Sequence, residues 1–405
     1  MQTETTNSLS KRAQSLKTSP TLFLVAKAKE LQSKGHDVIS LTVGEPDWAT
    51  YPIAAQAGHE AIEKGLTKYT AASGTIELKK AILHRLKADL KFEYAPNEVA
   101  VTSGAKFAIF AALQVLCDPQ DEVIIHSPYW VSYPTMVELA DAVPTIVTCN
   151  EDTNFKITPQ QLRKHINEKT KVFLFCSPSN PTGFIYSKSE LKALADVLKD
   201  FPRVHIISDD MYNRLMFDGS NCAPHILEVA PELRPRTIII NGGSKAYSMT
   251  GWRIGWAIGP QKIIQALGDF ASQSTGAPSS ISQYAVTPAL DQCEPNIKAT
   301  NQILKDRLVL ALKELNAIPE FKVFEPQGAF YLWIDIRKAL GRQYDGQIVE
   351  SSKDFCGILL EKYFVAVVPG EEFGNPGYMR VSFAIGHEKM SEAIRRMQNL
   401  VIKMQ

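Results

Sequence analysis

The segment 240–255 reads Ile240-Asn241-Gly242-Gly243-Ser244-Lys245-Ala246-Tyr247-Ser248-Met249-Thr250-Gly251-Trp252-Arg253-Ile254-Gly255, and it places one lysine and one arginine in an otherwise small, uncharged run. It continues Thr237-Ile238-Ile239-Ile240, a β-branched stretch with the composition of a buried strand. A lone lysine at a strand end, among glycines and hydroxyls, is poorly placed for solvent and well placed to form an imine with an aldehyde cofactor. Arg253 follows 253 − 245 = 8 positions later; its guanidinium fork matches the oxygens of a phosphate. The alternative is a buried lysine and a surface arginine beside a glycine-rich turn, and the segment alone does not separate the two.

Outward from this segment, strand and helix alternate. Leu78, Ile82, Leu86 and Leu90 recur at helical spacing within 77–92. Strands are predicted at 99–102, 122–126, 145–149, 171–176, 204–208 and 237–240, with helices at 107–116, 130–139 and 187–198. Such alternation predicts an α/β fold, a mostly parallel sheet between helices, with ligands beyond the carboxyl ends of its strands. The last hundred residues differ: a helix over 301–315, alternating stretches at 321–324, 330–336, 365–369 and 378–383, and an amphipathic helix over 389–403. They predict a smaller α+β domain at 301–405, joined by the N-terminal segment 1–47, beside a large domain at 48–300.

Bulk properties agree with two domains, since 405 residues exceed what one core usually serves. The balance of 44 basic and 43 acidic residues gives no general attraction to nucleic acid or anionic membrane. No apolar run approaches the roughly 18 residues of a membrane span, and 1–19 lacks the apolar centre of a secretory signal. Six scattered cysteines without a C-x-x-C pair predict reduced thiols in a cytoplasmic protein and no zinc site. No G-x-G-x-x-G follows the first strand, which excludes a dinucleotide-binding dehydrogenase.

A phosphorylated aldehyde cofactor needs further groups, and the predicted strand ends offer them. Ser103-Gly104-Ala105 enters a helix whose N–H groups and dipole favour a phosphate, or else is a plain helix cap. Asp209 follows an apolar strand, where a buried carboxylate keeps a pyridine nitrogen protonated; the alternative is a solvated Asp209-Asp210 turn. Asn180, between two prolines, is a fixed amide donor or a simple turn. Trp130 offers a plane for stacking or a core aromatic. Arg380, inside the apolar run 378–383, needs an anionic partner, either a substrate carboxylate or an internal acid.

In their order along the chain these residues resemble the fold-type I, class I aminotransferases, which use pyridoxal 5′-phosphate. The resemblance spans about Ser15 to Val401 and is closest to the bacterial, thermophile-type aspartate aminotransferase subgroup, above all in Ser-Lys-Ala-Tyr-Ser-Met-Thr-Gly-Trp-Arg-Ile-Gly-Trp at 244–256. It implies a seven-stranded sheet in the large domain. It implies an imine at Lys245, a phosphate site of Gly104, Ala105, Ser244 and Arg253, a pyridinium partner at Asp209, and Tyr212 and Asn180 beside the phenolic oxygen. It also implies stacking by Trp130, and an α-carboxylate clamp of Arg380 and the Gly44 backbone. Tyr69 would reach the phosphate of a neighbouring subunit, so a homodimer with shared active sites is expected. For the distal carboxylate the subgroup uses a lysine, matched by Lys106, and an N-terminal hydroxyl, for which Ser19 and Thr21 are the candidates. The implied reaction is transamination, with aspartate and 2-oxoglutarate giving oxaloacetate and glutamate, and with prephenate as a further substrate in some members. It requires no metal. Alternatives are a same-fold lyase, an aromatic- or alanine-type aminotransferase, and a non-enzymatic ligand-binding module.

Overall fold

Seven strands form the central sheet: β1 Val99–Thr102, β2 Glu122–Ser127, β3 Val143–Thr148, β4 Thr170–Cys176, β5 His205–Asp209, β6 Thr237–Gly242 and β7 Gly255–Ile258. They come from a computed structural model that describes residues 9–16 and 20–405. The order is β1-β7-β6-β5-β4-β2-β3. Only β7 runs antiparallel to its neighbours; every other pairing is parallel. Helices cover both faces of a parallel sheet, so its strands are continuous apolar runs: of Thr170-Lys171-Val172-Phe173-Leu174-Phe175-Cys176 all but Lys171 are buried.

The strand between Val204 and Ser208 lies one residue later than its pattern predicts, so Asp209 closes β5 rather than following it. The helix predicted over 130–139 is shorter, Tyr133–Glu138, because Pro134 is suited to a first turn and fixes the start there. The helix predicted to begin at 107 begins at Ala105, directly after Gly104 at φ 86°. Pro295 likewise sets an early start for the helix Glu294–Leu315, which was expected from 301. Helices Pro20–Ser33, Pro52–Glu63, Gln261–Ser274 and Ser280–Gln292 complete the N-terminal region and the covering layers.

In the C-terminal region four strands, β8 Lys322–Phe324, β9 Tyr331–Asp335, β10 Val368–Pro369 and β11 Tyr378–Ser382, pair antiparallel in the order β10-β11-β9-β8. The stretch 365–369, expected as one strand, divides. Val365–Ala366 pairs in parallel with Ile39–Ser40, which brings the N-terminal segment against this region. The helix His387–Lys403 lays Met390, Ala393, Ile394, Met397, Leu400 and Val401 into the core, the spacing of one helical face.

Candidate active site

The carboxyl ends of β2, β4, β5 and β6 open into a cavity of about 260 Å³. Gly44, Ala105, Lys106, Trp130, Asn180, Asp209, Tyr212, Ser244, Lys245, Arg253 and Arg380 all line it. These residues are as much as 336 positions apart (380 − 44), and the sheet topology brings them together. Tyr69 stands elsewhere: it is fully exposed, in an apolar groove with Ile53, Leu66 and Tyr284. Ser19 and the side chain of Thr21 lie outside the described residues.

Lys245 follows β6, and its Nζ donates to the Gly44 carbonyl oxygen. A Cβ at position 44 would collide with the Tyr331 hydroxyl, so glycine alone permits this approach. Burial lowers the Lys245 pKa to about 8; Glu45 opposes the shift, and the charges of Arg380 and Arg253 add to it. The amine is therefore far closer to its nucleophilic, neutral form than an ordinary lysine.

Asp209 is buried, as is Asp210, so the solvated-turn alternative does not hold. Its Oδ2 accepts from the Tyr133 hydroxyl at 2.5 Å and its Oδ1 from the Met211 N–H at 3.2 Å. Burial raises its pKa to about 6, while those hydrogen bonds pull it down. Tyr212 shares a hydrogen bond of 2.9 Å with the hydroxyl of Tyr331.

Arg380 comes from β11 and is 3% exposed. It donates to Asn180 Oδ1 at 2.9 Å and to the Thr42 carbonyl at 2.6 Å, and its guanidinium lies 4.3 Å from the Tyr331 ring centroid. Its Nε is buried without a partner, and no carboxylate among the described residues pairs with it. The internal acid offered as the alternative is thus missing among those residues. Because Asn180 Oδ1 is occupied by Arg380, the amide NH₂ of Asn180 is left as its donor.

At the other end, Arg253 adopts a left-handed φ of 54° and donates to the Thr250 carbonyl at 2.8 Å. A Cβ on Gly104 would come within 2.5 Å of that guanidinium, and one on Gly255 within 2.6 Å of the Gly104 carbonyl carbon. Two glycines thus let β7 and the loop after β1 close around the start of the helix Ala105–Leu116, whose first N–H groups have no intrahelical acceptor. Lys106 is exposed as a residue, yet its Nζ stands 5.1 Å from the Trp130 ring centroid. Desolvation, and then the charge of Arg253, lower its pKa.

This donor set fits pyridoxal 5′-phosphate: a lysine of depressed pKa for the aldehyde, a buried carboxylate, and an arginine beside free helix N–H groups for a phosphate. The sequence model of the family described as aminotransferase class I and II matches residues 36–397. The chain belongs to that family. This aminotransferase, like the family, uses pyridoxal 5′-phosphate. It is 42% identical over 395 residues to the aspartate/prephenate aminotransferase of Nitrosomonas europaea, covering 97% of this chain and 99% of that one. It is 44% identical to the aspartate aminotransferase of Geobacillus stearothermophilus over 393 residues, 97% and 98% of the two chains. Among solved structures it is similar to the aspartate aminotransferase from Rhizobium meliloti, with TM-score 0.94 and 38% identity over 98% of this chain and 99% of that one. The Thermus thermophilus aspartate aminotransferase with maleate gives TM-score 0.91 and 35% identity over 98% of this chain and 100% of that one.

Seven residues of the aminotransferase cavity escape the sequence patterns: Ile109, Val131, Ser132, Tyr133, Cys176, Met211 and Tyr331. Tyr133 carries a usable signal, since it lies three positions after Trp130, about one helical turn, and its ring meets that indole edge-on at 5.4 Å. Tyr331 carries none, because an aromatic in an apolar strand is indistinguishable from core.

Proposed function

We propose that this chain transfers the amino group of aspartate to 2-oxoglutarate, giving oxaloacetate and glutamate. One observation carries the proposal: beyond Lys245 and Arg253, which suit the cofactor, the cavity presents two further cations, Arg380 and Lys106, that pair with no carboxylate among the described residues. Two cations left over from the cofactor groups suit a dicarboxylate. The names of the relatives support the same substrates.

Bound pyridoxal 5′-phosphate supplies an aldehyde for the amino group and a ring that withdraws electrons from the substrate Cα. We assign Lys245 to the aldehyde, Asp209 to the ring nitrogen, and Tyr212 with the Asn180 amide to the phenolic oxygen. Arg253, Ser244, Gly104 and Ala105 hold the phosphate, and Trp130 stacks on the ring. Arg380, with the Gly44 backbone, grips the α-carboxylate and Lys106 the distal one, an orientation that fixes which bond at Cα is broken. Lys245 Nζ, with its lowered pKa, takes the proton from Cα and later returns one. The N-terminal hydroxyls, Ser19 or Thr21, belong with the distal grip. Residues 48–300 carry the cofactor groups, and 1–47 with 301–405 the α-carboxylate clamp.

The full exposure of Tyr69 supports a homodimer in which that side chain serves a second copy. All six cysteines are free, which suits the reducing cytoplasm. Oxaloacetate release from aspartate and 2-oxoglutarate tests the assignment, with prephenate plus aspartate run in parallel, since a relative at 42% identity carries both substrates in its name. Turnover with prephenate adds that activity. No oxaloacetate from cofactor-loaded protein would reject aspartate and favour the lyase or the aromatic- or alanine-type alternative.

A further inference from the structure

We propose that Tyr133 is a positioning residue that holds Asp209 as an anion and fixes it relative to the plane of Trp130. The inference rests on the assignment of Asp209 to the cofactor's ring nitrogen made above. Tyr133 is 2% exposed, and its hydroxyl is the only side-chain donor to Asp209 among the described residues. The same ring meets Trp130 at 90° between planes, so one side chain touches both the carboxylate and the stacking surface.

The groups around Asp209 leave this role to the phenol. Lys245, the cation whose charge acts on Asp209, donates to Gly44 and not to Asp209. Asp210 adds negative charge next door, with its own carboxylate held by Ser208 Oγ at 2.6 Å and His225 Nε2 3.5 Å away. The Cys176 thiol donates to the Pro178 carbonyl at 3.2 Å. A buried carboxylate without a touching cation tends to take up a proton, and the Tyr133 hydrogen bond counters that tendency. A proton shared between Asp209 and a ring nitrogen stays on the nitrogen only while the carboxylate is the weaker base. Each increase in donation from Tyr133 therefore strengthens the ring as an electron acceptor.

The test compares wild type and Tyr133→Phe, each loaded with pyridoxal phosphate isotope-labelled at the ring nitrogen, by nitrogen NMR without substrate. Phenylalanine keeps the edge contact with Trp130 and removes only the donor. The ring-nitrogen resonance should move toward that of unprotonated pyridine. The kcat for aspartate should fall about tenfold to a hundredfold, the effect of losing a hydrogen bond to a charged group, with KM changed less than about threefold. A ring-fluorinated tyrosine at position 133, a stronger donor that keeps every contact, should move the resonance the opposite way. It decides the matter if Tyr133→Phe is poorly folded. Identical resonances in all three proteins would overturn the proposal. A shifted resonance in a protein that does not transaminate aspartate would instead support it and reject only the substrate assignment.

Discussion

Two arginines, Arg214 and Arg380, are each 3% exposed, and they keep opposite company. Arg214 donates to both oxygens of Asp89, at 3.1 and 3.2 Å, and also to Glu294. Arg85 joins the same two acids, at 2.6 and 3.3 Å, so two guanidinium groups meet two carboxylates and the charges cancel. Arg380 meets an amide oxygen, a backbone carbonyl and an aromatic face, all neutral. A buried cation without a counter-ion is costly. The first cluster is neutralised as folded, although the Nε of both its arginines lacks a partner; the second lacks a counter-ion, which under the proposed function is a substrate carboxylate. The difference between structural and functional charge lies in that incompleteness, not in burial.

The comparison can be broken most decisively on the incomplete side. Lys245→Ala should abolish oxaloacetate formation, since general acid–base catalysis alone contributes about 10²–10⁴-fold. Near-normal turnover in a folded variant would sink the assignment. Arg380→Ala should lower kcat/KM for aspartate about a hundredfold or more by leaving the substrate carboxylate unpaired, with the thermal midpoint unchanged or raised. Arg214→Ala should do the reverse: a stability loss of about 3 kcal/mol in denaturant unfolding, from carboxylates left short of partners, with little change in aspartate KM. If the two arginine variants lost stability equally, the contrast between the clusters would be wrong.

Smaller effects sharpen it. Lys106→Ala should weaken aspartate about tenfold while barely changing a neutral amino acid, as a single charged contact is lost. Equal losses for both substrates would remove Lys106 from the distal grip. The pH dependence of cofactor uptake by the apoprotein reports Lys245 directly. With its pKa lowered to about 8, the reactive neutral amine becomes available as pH rises toward 8 and saturates above it. The uptake rate should climb roughly tenfold per pH unit below about 8 and then level off. A climb continuing to about pH 10 would mean an ordinary lysine.

Much of this was legible in the chain because it is local. Thr237–Ile240 announces a buried strand, and Lys245 and Arg253 stand out against small neighbours. Strands β1, β2, β4, β5 and β6 carry apolar runs and the edge strand β3 a β-branched one, so they appear with ends off by at most two residues. Strand β7 is only Gly255-Trp256-Ala257-Ile258, too short for a periodicity, and it was not anticipated. What the sequence does not display is contact across long separations. Tyr133 meets Asp209 from 76 positions away, Lys245 meets Gly44 from 201, and Arg380 meets Asn180 from 200. The spacing from Trp130 places the Tyr133 ring near the site, but nothing in Ser132-Tyr133-Pro134 shows that its hydroxyl meets a carboxylate. Similarly, Arg214 and Arg380 both sit among apolar residues in sequence, and only the fold reveals which one has acids beside it.

The unexpected strand ties the cofactor groups to one another. Strands β6 and β7 are paired through Gly242 and Gly255, so the loop carrying Lys245 and Arg253 is a stapled hairpin, and β1, with Gly104 after it, lies on the hairpin's other flank. Asp209 ends the next strand along. Lysine, arginine, aspartate and glycine thus ride on four adjacent strands as one block, whereas Gly44 and Arg380 arrive from opposite ends of the polypeptide. One local arrangement of strands thus sets the cofactor groups, while the α-carboxylate clamp proposed for Gly44 and Arg380 depends on how the two chain ends pack against it.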